Sequence, residues 1–337
     1  MFRIVLIFLF TNNVPLILGS DESNAIALYE TLTGYPNGYN VSTLIEVFYG
    51  KSYKDRIKML HLLLQKHGEE KFKQMGEKMS LIGFNPGFIE NRPYYDASLL
   101  HHALVVAGNH GPNNDDKLLI EMMVTRTSQE MKSIKKIYDN EWHEDMCTKI
   151  EENTTGDLER VLVALCKADR DESDVVNETL ARYDCENIYK YGPDTFGTND
   201  EGINSILFKR NYKQLRRMFE IFSDYEYQVA WSLSSGKRTI EKLIEDEYSW
   251  YTKTALLQYI QAVKNLPVLF ATLITESLAD YDGRRLIRII FGRSGLDLPE
   301  IVKAFGGKKK LVGEIEKATF LESLVKQALI ANLKANC

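Results

Sequence analysis

Apolar residues recur at helical spacing in four similar segments of the chain. In the last of them, Leu286, Ile289 and Ile290 are three and four positions apart, which predicts a helix with one apolar face. Each segment ends on a basic residue that is followed by Ser, Thr or Asn. The four segments are TLIEVFYGKS at 43–52, LLIEMMVTRT at 118–127, INSILFKRN at 203–211 and RLIRIIFGRS at 285–294.

The segments are also regularly spaced. The Ser, Thr or Asn residues that close them are 75, 84 and 83 positions apart in succession. A period of this length indicates that one helical unit occurs four times. The 8 prolines lie mostly near predicted helix ends, and few runs alternate apolar and polar residues as strands do. The chain is therefore predicted to be all-α.

Longer stretches around these segments carry a family resemblance. They are LLIEMMVTRTSQEMKSIKKIYDNEW with NTTGDLERVLVALCKADRDES, then YDASLLHHAL, GTNDEGINSILFKRNYKQLRRMFEIF and RRLIRIIFGRSGLDLPEIVKAF. In them the chain resembles the annexins. The resemblance implies four repeats of about five helices each, packed into a curved disc, in which neighbouring repeats bury apolar faces that one repeat would expose. The implied repeats are residues 21–94 (divergent), 95–172, 173–265 and 266–337.

The basic residue that ends each repeated helix is interpreted as structural. A cation at this position is favoured by the negative end of the helix dipole. Contact with lipid is the alternative, and it is the less favoured of the two. The four residues are Lys51, Arg126, Arg210 and Arg293.

Residues 1–20 have the layout of a secretory signal peptide. One Arg precedes an apolar run from Ile4 to Phe10, and small residues follow at Gly19 and Ser20. Neither this stretch nor any other is expected to be long enough to span a bilayer. The protein is therefore predicted to be secreted, and its Asn-x-Ser/Thr sites become candidates for glycosylation. These sites are at Asn40, Asn153 and Asn177.

Four cysteines are too few for a disulfide scaffold, although an oxidising compartment would permit one or two bridges. Cys147, Cys166, Cys185 and Cys337 allow three full pairings, and the sequence does not choose among them.

Charge narrows the choice of partner. The whole chain has a net charge of −5. Residues 283–337 carry 11 basic and 5 acidic side chains, so the rest of the chain is strongly negative. This distribution disfavours general nucleic-acid binding. It would also repel an anionic lipid surface unless a cation bridged the two.

The resemblance implies calcium-dependent binding to acidic phospholipid. In annexins a Gly-x-Gly-Thr turn supplies carbonyl oxygens, and an acidic side chain from a later loop of the same repeat completes the site. Calcium takes about six to eight hard oxygens, so the turn is insufficient without the carboxylate. The third repeat keeps Gly197 and Thr198 of the turn and has Glu247 at the acidic position, which makes it the best candidate.

The other repeats match the calcium-binding pattern less well. In the second, Gly111 and Asn113 align with the turn, but Asn153 takes the acidic position and Glu152 lies beside it. An amide offers one neutral oxygen where two charged oxygens are needed. The first repeat retains a single glycine of the turn. In the fourth, Ala318 stands at the acidic position, so this site is expected to be lost.

Three consecutive lysines, Lys308, Lys309 and Lys310, follow two glycines on what is expected to be a turn between helices. They are candidates for contact with lipid headgroups or with a sulfated polysaccharide. The alternative is an ordinary solvated loop.

No sequence motif of a catalytic site occurs, and the adjacent His101 and His102 point apart on a predicted helix, so neither an enzyme nor a transition-metal site is expected. We predict a secreted annexin-like protein that binds acidic phospholipid with calcium, mainly through the third repeat. The alternative is an extracellular protein-interaction module that has lost calcium binding. On the annexin fold, a glycan at Asn40 or Asn153 would hold the calcium-binding face away from lipid, which favours the alternative.

Overall fold

The computed structural model describes residues 20–33, 43, 45–81, 92–107, 115–190, 200–224 and 239–337. All regular structure in these ranges is helical, which confirms the all-α class. The α-helices, numbered along the chain, are α1 (Ser20–Thr33), α2 (Tyr53–Leu81), α3 (Arg92–Ala107), α4 (Asp115–Thr125), α5 (Ser128–Trp142), α6 (Met146–Asn153), α7 (Gly156–Cys166), α8 (Glu178–Lys190), α9 (Asp200–Lys209), α10 (Tyr212–Phe222), α11 (Ile240–Glu247), α12 (Trp250–Ala279), α13 (Gly283–Gly292), α14 (Leu298–Phe305), α15 (Lys308–Lys317) and α16 (Ser323–Asn336). A π-helical turn, Ile45–Tyr49, precedes α2.

Helices α3 to α7 form a run of five, the number expected for one repeat. The apolar residues that recur at helical spacing in the sequence face the interior of the repeat. In α4, Leu119, Met122 and Met123 are each no more than 3% exposed. The periodic positions therefore form the core of the repeat, as their spacing predicts.

The residue that follows the basic helix end begins the next helix in the second and third repeats. Thr127 is the N-cap of α5, where its Oγ1 accepts a hydrogen bond from the amide of Glu130 at 3.1 Å, and its own amide donates to Glu130 Oε2 at 2.8 Å. Asn211 caps α10 by accepting from the amide of Gln214 at 2.8 Å. Such caps satisfy amides that have no partner within the first turn. The repeated sequence pattern thus marks both the end of one helix and the start of another.

Two of the four basic residues join neighbouring helices through bidentate salt bridges. Arg126 Nε and Nη2 lie 2.6 and 3.0 Å from the carboxylate oxygens of Asp96 in α3. Arg210 contacts Asp184 of α8 in the same way, at 2.8 and 3.1 Å. Burial of Arg126 disfavours its charge, but the charge of Asp96 and its hydrogen bond outweigh this and raise the pKa of Arg126 above its ordinary value. Each pair ties the end of one helix to the first helix of its repeat.

The fourth repeat has a local version of this pairing. Arg293 Nε and Nη2 lie 2.7 and 2.8 Å from the carboxylate of Asp297, four residues further on. The guanidinium group also lies 4.7 Å from the centre of the Phe270 ring. Ser294, which follows, is fully buried and accepts a hydrogen bond from Asn332 Nδ2 at 2.8 Å. It therefore links α13 to α16 instead of capping a helix.

The chain divides into two compact units, residues 96–266 and residues 1–95 together with 267–337. The second of these units joins parts of the chain that are far apart in sequence. The amide of Tyr53 donates to Asn336 Oδ1 at 3.1 Å, and the π-helical turn packs on α16. The C-terminal helix is therefore an integral part of this unit.

Helix α12 is the longest helix in the described part of the chain. By length and composition alone, its 30 residues would be enough to cross a membrane. The backbone is extended at Asn265, with φ −163° and ψ 94°, and Pro267 follows. Tyr259 and Phe270 are at most 1% exposed, as in the core helix of a folded domain. Asn265 therefore divides α12 into two successive helices, residues 250–264 and 266–279, each shorter than the roughly 20 residues that a membrane span needs.

The structure selects one disulfide among the alternatives that the sequence left open. Cys147 in α6 is bonded to Cys166 in α7, with their Cα atoms 5.7 Å apart. Cys185 is free and buried, and Cys337 is free and exposed. The bond fixes the two helices on either side of the α6–α7 loop.

Replacing Asp96 by Asn tests the Arg126 salt bridge. Both side chains are nearly buried, at 11% and 12% exposure, so the change leaves a guanidinium charge in the interior without its counter-charge. We expect the free energy of unfolding to fall by about 3 kcal/mol or more. Chemical denaturation followed by circular dichroism measures it.

Glu178→Gln is the control, because its salt bridge to Arg217 is exposed. We expect a much smaller change in stability there, since solvent screens such pairs. The double variant Asp96→Asn, Arg126→Met should regain part of the lost stability. An Asp96→Asn protein as stable as the wild type would contradict a structural role for the pair.

Removing the disulfide should destabilise the fold through the unfolded state. The bond closes a loop with a sequence separation of 19 residues, for which chain entropy gives about 3 kcal/mol. We expect Cys147→Ser, Cys166→Ser to lower the free energy of unfolding by about this amount, and Cys337→Ser to leave it unchanged. If a reducing agent does not shift the unfolding midpoint of the wild type, the bond contributes nothing in solution.

Candidate functional site

Helices α6 and α11 end in the same way. The amide of Thr154 donates to the carbonyl oxygen of Ile150 at 3.0 Å, and the amide of Tyr248 donates to the carbonyl oxygen of Ile244 at 3.0 Å. Each bond closes the last turn of a helix whose inner side chains are buried. The loops that follow therefore start from equivalent positions in the second and third repeats.

This equivalence pairs the residues of the two loops. Asn153 is the last residue of α6, and Glu247 is the last residue of α11. Three positions later the backbone of both loops is left-handed, with φ of 67° at Gly156 and 51° at Trp250. The structure thus places Asn153 and Glu247 at the same point of the repeat, as the alignment of the acidic position requires.

Glu247 is held at the carboxyl end of a well-anchored helix. Thr239 caps the start of α11, and three apolar side chains of the helix are buried. Glu247 itself is half-buried beside the loop, and its carboxylate has the two charged oxygens that calcium prefers. The turn residues predicted to face the ion lie outside the described residues: Gly111, Asn113, Gly197 and Thr198.

The second repeat presents a weaker set of oxygens. Asn153 is exposed, and its Nδ2 donates to the carbonyl oxygen of Lys149 at 2.8 Å. The Glu152 carboxylate lies 3.0 Å from Lys149 Nζ, which also lies 3.0 Å from Glu144. The hydrogen bonds that Lys149 donates to Glu152 and to Glu144 raise the pKa of Lys149. A calcium ion at Glu152 would therefore compete with an ammonium group that is already in place.

The fourth repeat has no carboxylate at the acidic position. Ala318 lies three residues after the buried Ile315, the same offset that separates Glu247 from Ile244. An alanine side chain has no oxygen to offer, so this position does not fit a calcium ion.

Apolar contacts connect the two loops of the fourth repeat. The rings of Tyr281 and Phe320 meet edge to face with their centres 5.5 Å apart. A Cβ atom added at Gly283 would lie 3.0 Å from the side chain of Leu321. These contacts bring the α12–α13 turn against the α15–α16 loop, which is the pairing of loops that the resemblance implies. Within the described ranges, no group of three or more His, Cys, Asp or Glu side chains is placed to hold a metal ion.

The three lysines lie on a helix and not on the expected turn. Only Gly306 and Gly307 form the turn, with φ of 109° and 100°, and α15 starts at Lys308. Lys310 Nζ donates to the carbonyl oxygen of Phe305 at 3.2 Å and lies over the ring of that residue. The lysines sit at the positive end of a helix dipole, where cations are unfavourable. The prediction that the three lysines lie on a turn was therefore wrong. Their contact with lipid stays a prediction.

The two glycosylation candidates that the structure describes are both exposed. Asn153 ends α6, and Asn177 caps α8 by accepting a hydrogen bond from the amide of Leu180 at 3.0 Å. The third candidate, Asn40, lies outside the described residues. The modification of all three asparagines stays a prediction.

The two adjacent histidines do point apart, as expected. His101 stacks on Trp142 with ring centres 4.2 Å apart, and its Nδ1 lies 3.2 Å from the hydroxyl group of Tyr138. Burial lowers the pKa of His101 below its ordinary value. His102 is exposed. These contacts account for His101 as a packed side chain.

Sequence reasoning missed Trp250 and Tyr281. Both side chains are large and exposed, and the backbone of both residues is left-handed. Trp250 is 86% exposed with φ 51°, and Tyr281 is 69% exposed with φ 59°. The signal was present for Trp250, because alignment of the two loops puts it where the second repeat has Gly156. No sequence pattern points to the conformation of Tyr281.

Known proteins are similar to this chain in sequence and in fold. A family model described as Annexin matches residues 95–165. Annexin A13 of Homo sapiens is 30% identical over 276 residues, which cover 80% of this chain and 82% of that protein. Annexin A7 of Homo sapiens is 28% identical over 84% of this chain, which spans 55% of that protein, about half its length. The solved structure of annexin III covers 97% of this chain and is itself covered to 97%, at 24% identity and a TM-score of 0.77.

This chain therefore belongs to the annexin family. Annexins generally bind calcium and phospholipid, act as peripheral proteins at membranes and are not enzymes. The similarity to annexin III also confirms the annexin repeat fold that the resemblance implies.

Proposed function

We propose that this protein binds acidic phospholipid surfaces peripherally and in the presence of calcium, mainly through its third repeat. The observation that carries the proposal is the position of Glu247. At the aligned acidic position, the second repeat has Asn153, which ends its helix as Glu247 does, and the fourth repeat has Ala318. Of these three side chains, only Glu247 supplies a carboxylate.

Charge explains why the ion is needed. Outside residues 283–337 the chain is strongly negative, so an anionic surface repels it. Calcium held by Glu247 and by the carbonyl oxygens of the turn at Gly197 and Thr198 would remove this repulsion. The positions left open on the ion would take phosphate oxygens of the lipid.

The number of sites sets the strength of binding. A rigid protein with several calcium sites on one face binds vesicles more tightly than any one site does. Here the second site is weakened by the amide of Asn153 and by the Lys149 contact to Glu152, and the fourth is lost. We expect weak, calcium-dependent binding, with Lys308 and Lys309 as a secondary contact to anionic headgroups.

An extracellular location is part of the proposal. The Cys147–Cys166 bond supports it, because disulfides persist in oxidising compartments. The predicted signal peptide at 1–20 and the exposed sites at Asn153 and Asn177 are in accord with it. The same observations suit the second candidate function, a secreted protein-interaction module on an annexin scaffold, which would work without calcium.

Glu247→Gln tests the proposed site. The substitution keeps the size of the side chain and removes the charge that calcium needs. In cosedimentation of residues 21–337 with phosphatidylserine vesicles, we expect the calcium concentration for half-maximal pelleting to rise by at least about tenfold. A chelator should abolish pelleting of the wild type.

Glu245→Gln is the matched control. Glu245 lies on the same helix, and its exposed carboxylate pairs with Lys242. Its removal should leave the calcium requirement unchanged. If the two substitutions raise the calcium requirement equally, overall charge determines binding and not a calcium site at Glu247. Wild-type protein that never pellets would favour the interaction module.

Expression of the full chain in a secreting eukaryotic cell tests the location. We expect the protein in the medium without residues 1–20, with the Cys147–Cys166 bond formed and with a glycan on Asn153 or Asn177. Mass spectrometry of peptides, with and without glycosidase, measures all three. Retention of the intact N-terminus inside the cell would contradict secretion.

A further inference from the structure

Trp250 is the most exposed of the large apolar side chains in the described part of the chain. Its exposed fraction is 86%, although tryptophan is usually well buried in folded proteins. Among the residues that the structure describes, the indole has no ring contact and no hydrogen-bond partner. The fold therefore gains nothing from this side chain.

The backbone at Trp250 is also unfavourable for a large side chain. Its φ of 51° lies in the left-handed region, which glycine adopts readily and bulky residues avoid. The equivalent residue of the second repeat, with φ of 67°, is Gly156. The same loop thus forms without strain when glycine is present, whereas tryptophan occupies this position against the preference of the backbone.

The surroundings of Trp250 suit a lipid interface better than a protein surface. Along the described chain, the nearest other large apolar side chain that is exposed is Val268. Ser249, beside Trp250, is exposed, and Lys253, three positions further on, has no ion pair among the described residues. Protein hot spots lie instead within wide apolar patches that exclude water. A lone indole with an exposed N–H group suits the headgroup region of a bilayer, and a nearby cation is attracted by anionic lipid.

We infer that Trp250 is an interfacial anchor, whose indole enters the headgroup region of the anionic lipid surface that Glu247 binds through calcium. The inference rests on the proposed function, because Trp250 reaches lipid only where Glu247 has bound calcium. Three positions separate the two residues along the chain. Glu247 makes attachment conditional on calcium, and Trp250 adds apolar contact once the surface is reached.

Trp250→Gly tests this anchor without endangering the fold, since glycine stands at the equivalent position of the second repeat. We expect unchanged or higher thermal stability, retained calcium dependence, and vesicle affinity lower by about tenfold or more, the factor that burial of one large apolar side chain provides. Tyr183→Ala, which removes an aromatic side chain of 58% exposure from α8, should leave the affinity unchanged.

Fluorescence gives a second readout. In a Trp142→Phe, Trp231→Phe background, Trp250 emission should move to shorter wavelength when phosphatidylserine vesicles and calcium are both present, and lipids brominated near the headgroup should quench it. The proposed function fails, and the anchor with it, if wild-type protein does not pellet. The anchor alone fails if the wild type and Trp250→Gly pellet equally and the emission does not move, which would leave Trp250 for a protein partner.

Discussion

The pairing of Arg126 with Asp96, and of Arg210 with Asp184, is the constraint on which the second and third repeats depend. Each guanidinium group makes two hydrogen bonds to one carboxylate, so it fixes the angle as well as the distance between two helices. The next residue, Thr127 or Asn211, caps the following helix. One dipeptide therefore sets the end of one helix, its contact with another and the start of a third.

The loops after α6 and α11 differ in chemistry although they share a backbone conformation. Asn153 and Glu247 end their helices with the same hydrogen bond, yet only one is charged. Gly156 and Trp250 share a left-handed conformation, yet one has no side chain and the other has the largest. The fold thus fixes where a functional group stands and leaves its identity to each repeat.

The sequence predicted what depends on local spacing and missed what depends on distant partners. Apolar periodicity was sufficient for the all-α class and for the core positions of α4. Asp96 was not found because it lies 30 positions before Arg126. Three pairings of the cysteines were open because spacing alone does not bring Cys147 to Cys166.

Calcium and the exposed indole act on different parts of the barrier to lipid attachment in the proposed function. Trp250 is exposed in the structure, but a negative chain is repelled by an anionic surface before the ring arrives. An ion at Glu247 reverses the local charge where the ring projects, so the apolar contact becomes available only after calcium has bound. In this proposal a single repeat with both groups would keep calcium control, and the apolar contact would replace part of the avidity that further calcium sites provide.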